Sequence, residues 1–315
     1  RQGKDFCTVY HGSEPASDPD ASNTMSVKGG RVRSYGESSM IEKTDQRAGM
    51  LFKLVQGLHV PVALERSFKA SNGRFLSDRF LAGFERFKVS SERVFDICRR
   101  IQMPADFFTS FENDLETANI VLFGFEKDEE KPIFKAYLEF NNRLHKALAA
   151  NPGNPAPFEI FIGFKWDASD PSRRVVTHYT CYPAIGLRKM ADRAKTFFHR
   201  AGRTEPISIL DGILECAAGR AGPGEFLYFE ASEIGTERTS FSLNLYRTGL
   251  RMAEVYPMLL DVVRCYSISH EELHRVYEGA KTQFLGNLAG GVDRQGRDFL
   301  TFYYAEKGSS RQGTT

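Results

Sequence analysis

Residues 133–140 read Ile-Phe-Lys-Ala-Tyr-Leu-Glu-Phe. The even positions, Phe134, Ala136, Leu138 and Phe140, are apolar, while the odd positions add a cation, a phenol and a carboxylate at Lys135, Tyr137 and Glu139. Successive side chains of a strand point to opposite faces, so this segment predicts a strand with one greasy and one polar side. For a single strand the ordinary expectation is a polar face in water. Its recurrence along the chain changes that expectation.

Strands are predicted in pairs at 62–69 and 74–84, 118–126 and 133–140, 158–165 and 174–182, 225–231 and 239–247, and 287–293 and 298–305. Helices are predicted at 40–56, at 90–112 with a break at Pro104, and at 142–149, 186–201, 207–218, 252–266 and 270–285. Strand pairs separated by helices exclude a doubly wound sheet, in which single strands alternate with helices. The expected class is α+β: about ten antiparallel strands closed into a barrel and surrounded by helices. The Gly-, Ser-, Asp- and Pro-rich residues 1–36 predict a flexible arm, 37–306 one barrel domain, and 307–315 a flexible tail.

With helices outside, the apolar strand faces must point outward and the polar faces must line the lumen, giving a wide ligand-holding interior. The strands agree. Glu65, Ser67 and Lys69 alternate with Leu64, Arg66 and Phe68; Ser77 and Arg79 alternate with Leu76, Asp78 and Phe80. Phe161, Gly163 and Lys165 oppose Ile160, Ile162 and Phe164, and Ser242, Asn244 and Tyr246 oppose Phe241, Leu243 and Leu245. The last strand sets Thr301 and Tyr303 against Leu300, Phe302 and Tyr304. The predicted lumen collects Lys69, Arg79, Lys135 and Lys165 with Tyr137, Tyr246 and Tyr303, and few carboxylates, chiefly Glu65 and Glu139. Buried cations without partners are costly. An anionic ligand would complete such a cluster, and a diphosphate suits it.

Composition narrows the partners. A formal net charge of +2 over 315 residues gives no bulk field for nucleic acid or a membrane surface. No apolar run approaches the roughly 20 residues that span a bilayer, and no signal-peptide core is visible. The five cysteines are scattered without a CxxC pair, which points to reduced thiols, a cytoplasmic protein and no structural zinc. His178 and His199 lack spaced ligand partners, and Gly290-Gly291 lacks the context of a phosphate loop.

The segments Leu64-Glu65-Arg66-Ser67-Phe68-Lys69 and Asp78-Arg79-Phe80, the Lys135 strand, Ile162-Gly163-Phe164 and Phe302-Tyr303-Tyr304 together resemble the ABBA-fold prenyltransferases, in particular the branch that prenylates cyanobactin-type ribosomal peptides. The resemblance spans most of the chain after residue 36. It implies that Glu65 acts on the acceptor, that Arg79 and Lys135 surround a prenyl diphosphate, and that Tyr303 lies near the isoprenoid. It further implies that Phe229 controls prenyl length, a bulky side chain favouring a five-carbon donor. Tyr137 replaces a histidine of that branch, and Ser242 and Asn244 replace larger polar groups.

The implied reaction is electrophilic alkylation of a peptide by dimethylallyl diphosphate in a monomeric enzyme. Lys69, Arg79, Lys135 and Lys165, with Tyr137, Tyr246, Tyr303 and Mg²⁺, would hold the diphosphate. Phe229, Phe161, Tyr179, Asn244 and Glu139 would form the prenyl and acceptor pocket, with no metal ligand among the protein's side chains. Two other readings stay open: the same chemistry on a small aromatic molecule or free amino acid, and a non-catalytic barrel binding an anionic lipid or metabolite. Plainer roles compete residue by residue, with Glu65 balancing Lys69 or Arg79 and the tyrosines serving as hydroxyl-bonded core.

Overall fold

The computed structural model describes residues 45–128, 131–151, 155–183, 185–222 and 225–306. The expected arm at 1–36, the tail at 307–315 and the first residues of the 40–56 helix lie outside them. Eleven strands form one antiparallel sheet: β1 (Ala63–Ser71), β2 (Arg74–Leu76), β3 (Arg79–Glu85), β4 (Ile120–Asp128), β5 (Lys131–Glu139), β6 (Phe158–Asp167), β7 (Arg174–Cys181), β8 (Leu227–Glu233), β9 (Thr239–Asn244), β10 (Phe284–Val292) and β11 (Asp298–Ala305). From β3 to β11 each strand pairs with the next in sequence, β1 pairs with β3, β2 extends β1 as a short hairpin, and β11 pairs back onto β1 to close a ten-stranded barrel.

Among the described residues eight α-helices accompany it: α1 (Gln46–Gln56), α2 (Ser91–Arg100), α3 (Ala105–Leu115), α4 (Asn141–Ala150), α5 (Leu187–Arg200), α6 (Glu205–Ala218), α7 (Tyr256–Tyr266) and α8 (His270–Ala280). Their boundaries follow local chemistry. Asp45 caps α1, its side chain accepting from the Arg47 N–H at 2.7 Å. Pro104 separates α2 from α3, and Pro257 lies in the first turn of α7, where a missing N–H costs nothing. That proline also divides the helix expected at 252–266 into a 3₁₀ turn and α7.

The core is a shell between barrel and helices. Phe80, Phe123, Phe134 and Phe164 point outward from β3 to β6 and pack with Leu51, Ile97 and Phe111 of α1 to α3. On the other half, Phe68, Phe241, Leu288 and Phe302 pack with Phe198, Ile213 and Leu259 of α5 to α7. Burying one such side chain contributes roughly 1.5–3 kcal/mol. A one-residue slip of β5 would bring Lys135 and Tyr137 into this shell and lose Phe134, Ala136 and Leu138 from it. The hydrophobic pattern therefore fixes the register, and the register sets which residues reach the lumen.

Two expected strands need correction. The segment 74–84 is two strands, because Gly73 (φ 71°) turns β2 back onto β1 before β3 joins the barrel. The strand expected at 239–247 ends at Asn244, and Tyr246 begins a 3₁₀ turn.

Candidate active site

A cavity of about 910 Å³ opens into the barrel. Lys69, Arg79, Lys135 and Lys165 all reach its wall, as alternation on β1, β3, β5 and β6 requires, and Arg238 joins them from the turn before β9. Lys135 is 6 % exposed. Its Nζ donates to Glu126 Oε2, and Arg79 Nη2 lies 3.2 Å from the same oxygen. Glu233 forms the second centre. Its Oε1 accepts from Arg238 Nη1 at 2.8 Å and lies 4.0 Å from Lys165 Nζ, while Oε2 accepts from Arg294 Nε at 2.7 Å. Lys69 Nζ sits over the Phe299 ring, 4.1 Å from its centroid.

This crowding sets the charge states. Burial, then the neighbouring Arg238 and Arg79, push Lys69 down to about 8. Burial opposed by Glu126 leaves Lys135 at about 8 as well. Lys165 falls well below its ordinary value through burial and Arg238. Burial would raise Glu126, but Lys135 and Arg79 outweigh it and hold the carboxylate well below the usual range. Glu233 is lowered likewise by Arg238 and Lys165 against its burial. Lys69, Arg79, Lys135, Lys165, Arg238 and Arg294 stand around Glu126 and Glu233, so the cations outnumber the two carboxylates that pair with them.

Beside the cations lies an aromatic wall. Tyr137, Tyr179 and Tyr303 line the same cavity. Tyr137 and Tyr179 meet edge to face with ring centroids 6.1 Å apart, and burial raises the hydroxyls of all three. The contact continues through Tyr179–Phe161 at 5.8 Å to Phe161–Phe229 at 5.7 Å, both edge to face. Gly163, paired with Tyr137 across β5 and β6, makes room for this arrangement: a Cβ there would lie 2.5 Å from Tyr137 Cε1.

The remaining residues named from the sequence sit apart from the cations. Glu65, 2 % exposed, accepts from Tyr246 Oη at 2.5 Å and from Asn287 Nδ2 at 3.2 Å. Burial raises Glu65 to about 7 against the pull of these two hydrogen bonds. Tyr246 is thus joined to Glu65 and is not among the residues lining the cation cavity. Asn244 is buried beside Asn287 on the adjoining strand, and Glu139 is fully buried, paired in register with Ile120 and Phe161. The carboxylates paired with Arg79, Lys135, Lys165 and Arg238 are Glu126 and Glu233, in place of Glu65 and Glu139. Glu126, Glu233 and Arg238 were open to detection, since each continues the period-two inward face of β4, β8 or β9 by one step.

A ring closed by β1 and β11, a polar interior and helices outside can be compared with solved proteins. The crystal structure of the 5-dimethylallyltryptophan synthase from Streptomyces coelicolor matches with a TM-score of 0.55 at 14% identity, over 87% of this chain and 96% of that one. This is the ABBA prenyltransferase fold. The prenyltransferase PriB, solved as a ternary complex with L-tryptophan and dimethylallyl thiolodiphosphate, matches at 0.53 and 13% identity over 85% and 92% of the two chains. The 6-dimethylallyltryptophan synthase from Micromonospora olivasterospora, in complex with DMASPP and Trp, matches at 0.50 and 12% identity over 78% and 82%. No protein-family model matches the chain, and no curated protein does.

In this ABBA barrel the expected Mg²⁺ has no cage of protein ligands alone. Glu126 and Glu233 are each occupied by lysine and arginine, and no cluster of three His, Cys, Asp or Glu forms among the described residues. His178 pairs instead with Glu159, Nδ1 to Oε2 at 2.5 Å. No described helix is long and apolar enough to cross a membrane.

Proposed function

We propose that this chain transfers a dimethylallyl group from its diphosphate to a nucleophilic side chain or terminus of a peptide. The observation that carries the reading is a buried cluster in which cations outnumber their carboxylate partners, set beside a tyrosine wall, which suits the negative charge of a prenyl diphosphate. The donor's C–O bond breaks and the diphosphate leaves with the electron pair. Lys69, Arg79, Lys135, Lys165 and Arg238 stabilise that charge as preorganised donors. Tyr137, Tyr179 and Tyr303 shield the allylic cation from water, each cation–π contact being worth about 0.5–2 kcal/mol. The acceptor's nucleophile bonds to the allyl carbon and its proton passes to Glu65. Side-chain cations take the place of a divalent metal.

Phe161 and Phe229, in edge-to-face contact beyond the tyrosines, suit a five-carbon donor. The peptide reading draws on the cavity, whose 910 Å³ lies near the top of the roughly 300–1,000 Å³ of small-molecule sites. It draws also on the mouth, where Ile234 is 71% exposed beside Arg294 and Arg238. A second reading, free tryptophan as acceptor, is favoured by the tryptophan in the PriB complex.

The test is incubation with dimethylallyl diphosphate and a panel of linear peptides, cyclic peptides and free tryptophan, read by mass spectrometry for one added C₅H₈ unit. Addition to peptides is expected, and addition to tryptophan alone selects the second reading. Binding of dimethylallyl thiolodiphosphate with no transfer to any acceptor refutes the transferase.

A further inference from the structure

Tyr246 reaches Glu65 by an unusual local path. β9 ends at Asn244, whose Oδ1 accepts from the Tyr246 N–H at 3.3 Å, and the Leu245 N–H donates to the Gly286 carbonyl at 2.8 Å. The β10–β11 register shifts between Leu285 and Asn287, so Gly286 falls out of the pairing. The Tyr246 ring occupies the space that a side chain at 286 would fill: a Cβ there would lie 2.2 Å from Cζ and 2.4 Å from Oη. Tyr246 Oη and Asn287 Nδ2 both donate to Oε2 of Glu65. Oε1 is left for a third group. Burial and the Glu65 charge raise the Tyr246 hydroxyl well above its ordinary value, so it stays protonated and remains the donor.

We propose that Tyr246 is a positioning residue for Glu65 and that Gly286 is the gap admitting it, so that the carboxylate presents Oε1 alone to the acceptor. The use of Oε1 rests on the proposed function; the hold of Tyr246 on Glu65 does not. In the reaction the proton displaced by the new carbon–nucleophile bond passes to Oε1, while Oε2 stays tied to Tyr246 and Asn287.

The experiment is a carbon-13 NMR titration of protein labelled at the glutamate carboxyl, with Glu65 assigned by its loss in E65Q. The Tyr246 hydrogen bond favours the ionised carboxylate, so Tyr246→Phe is expected to raise the half-protonation pH by about one unit. The ionised fraction at pH 7 then falls about fivefold. Gly286→Ala, which displaces the ring, should shift the titration in the same direction. Turnover should follow: the acidic limb of kcat moves up by the same amount in Y246F, the donor KM is unchanged, and rates converge to within about twofold by pH 9. A Y246F titration within about 0.3 unit of wild type, in a protein whose melting confirms its fold, overturns the proposal. If G286A does not fold, Y246F decides alone. A shifted titration in a protein that alkylates no acceptor upholds the Tyr246–Glu65 linkage and refutes the transferase reading, so the two fail separately.

Discussion

Binding of a prenyl diphosphate should draw protons into this barrel, increasingly so as pH rises. Lys69 and Lys135 stand at about 8 in the empty cavity. Each is therefore protonated in about nine of ten molecules at pH 7, half at pH 8 and one in ten at pH 9. A bound trianion restores both to their ordinary value near 10.5. The two lysines then take up about 0.2 proton at pH 7, about one at pH 8 and about 1.8 at pH 9. Lys165 is pushed down as well and takes up protons in the same direction. The sign is that of a lysine depressed in the free state: the ligand favours the protonated form, so affinity falls as pH rises through 8. Integrated from pH 7 to 9, these two lysines alone account for a loss of about 100-fold, or about 2.7 kcal/mol. Isothermal titration calorimetry with dimethylallyl thiolodiphosphate, in buffers of different ionisation enthalpy at pH 7, 8 and 9, measures the uptake directly. An uptake constant to within about 0.3 proton across those values would refute the charge states assigned to the two lysines.

Arg238→Leu leaves Glu233 with Lys165 and Arg294 and removes a cation close to the bound anion, so donor affinity should fall at least about tenfold, checked by the same calorimetry. Chelation with EDTA should change turnover by less than about twofold, because lysines and arginines fill the place of a metal; a strict Mg²⁺ requirement would refute that. Phe229→Ala should raise the relative rate with a ten-carbon donor, measured by competition between the two diphosphates, at a stability cost of about 3–5 kcal/mol seen in melting. Gly163→Ala should displace the Tyr137 ring and lower kcat with little effect on donor affinity, since the cations are untouched; unchanged kcat would remove Tyr137 from the shield.

Much of the barrel was legible because a barrel inside a helical shell obeys one rule, apolar out and polar in, on every strand. Lys135, Lys165, Arg79 and Lys69 follow it, and the structure gathers them in one cavity. The rule was less informative at strand ends. Arg238 lies in the turn before β9 and Glu233 closes β8, where charged residues ordinarily denote solvent, yet the inward period persists into the turn. Tyr246 shows the opposite failure. Alternation continued on paper past Asn244, but the backbone leaves the sheet there, and the ring's destination depends on Gly286, 40 residues later in the chain. No local pattern encodes a gap left by a missing side chain on another strand.

The pairing of β1 with β11 has a consequence for when chemistry becomes available. Every other seam of the barrel joins strands close in sequence, as in a meander, with only the short β2 hairpin intervening between β1 and β3. Here Ser67 lies against Tyr303 and Lys69 against Thr301, so the two lips of the last seam carry part of the ligand-holding wall. A nascent chain on the ribosome has no enclosed chamber until β11 has emerged and zipped onto β1. Before that moment the lysines are solvated and an allylic cation would meet water. Docking of β11 therefore closes the chamber on which the proposed transfer depends, and a chain truncated before Asp298 should transfer nothing however much of its helical shell has formed.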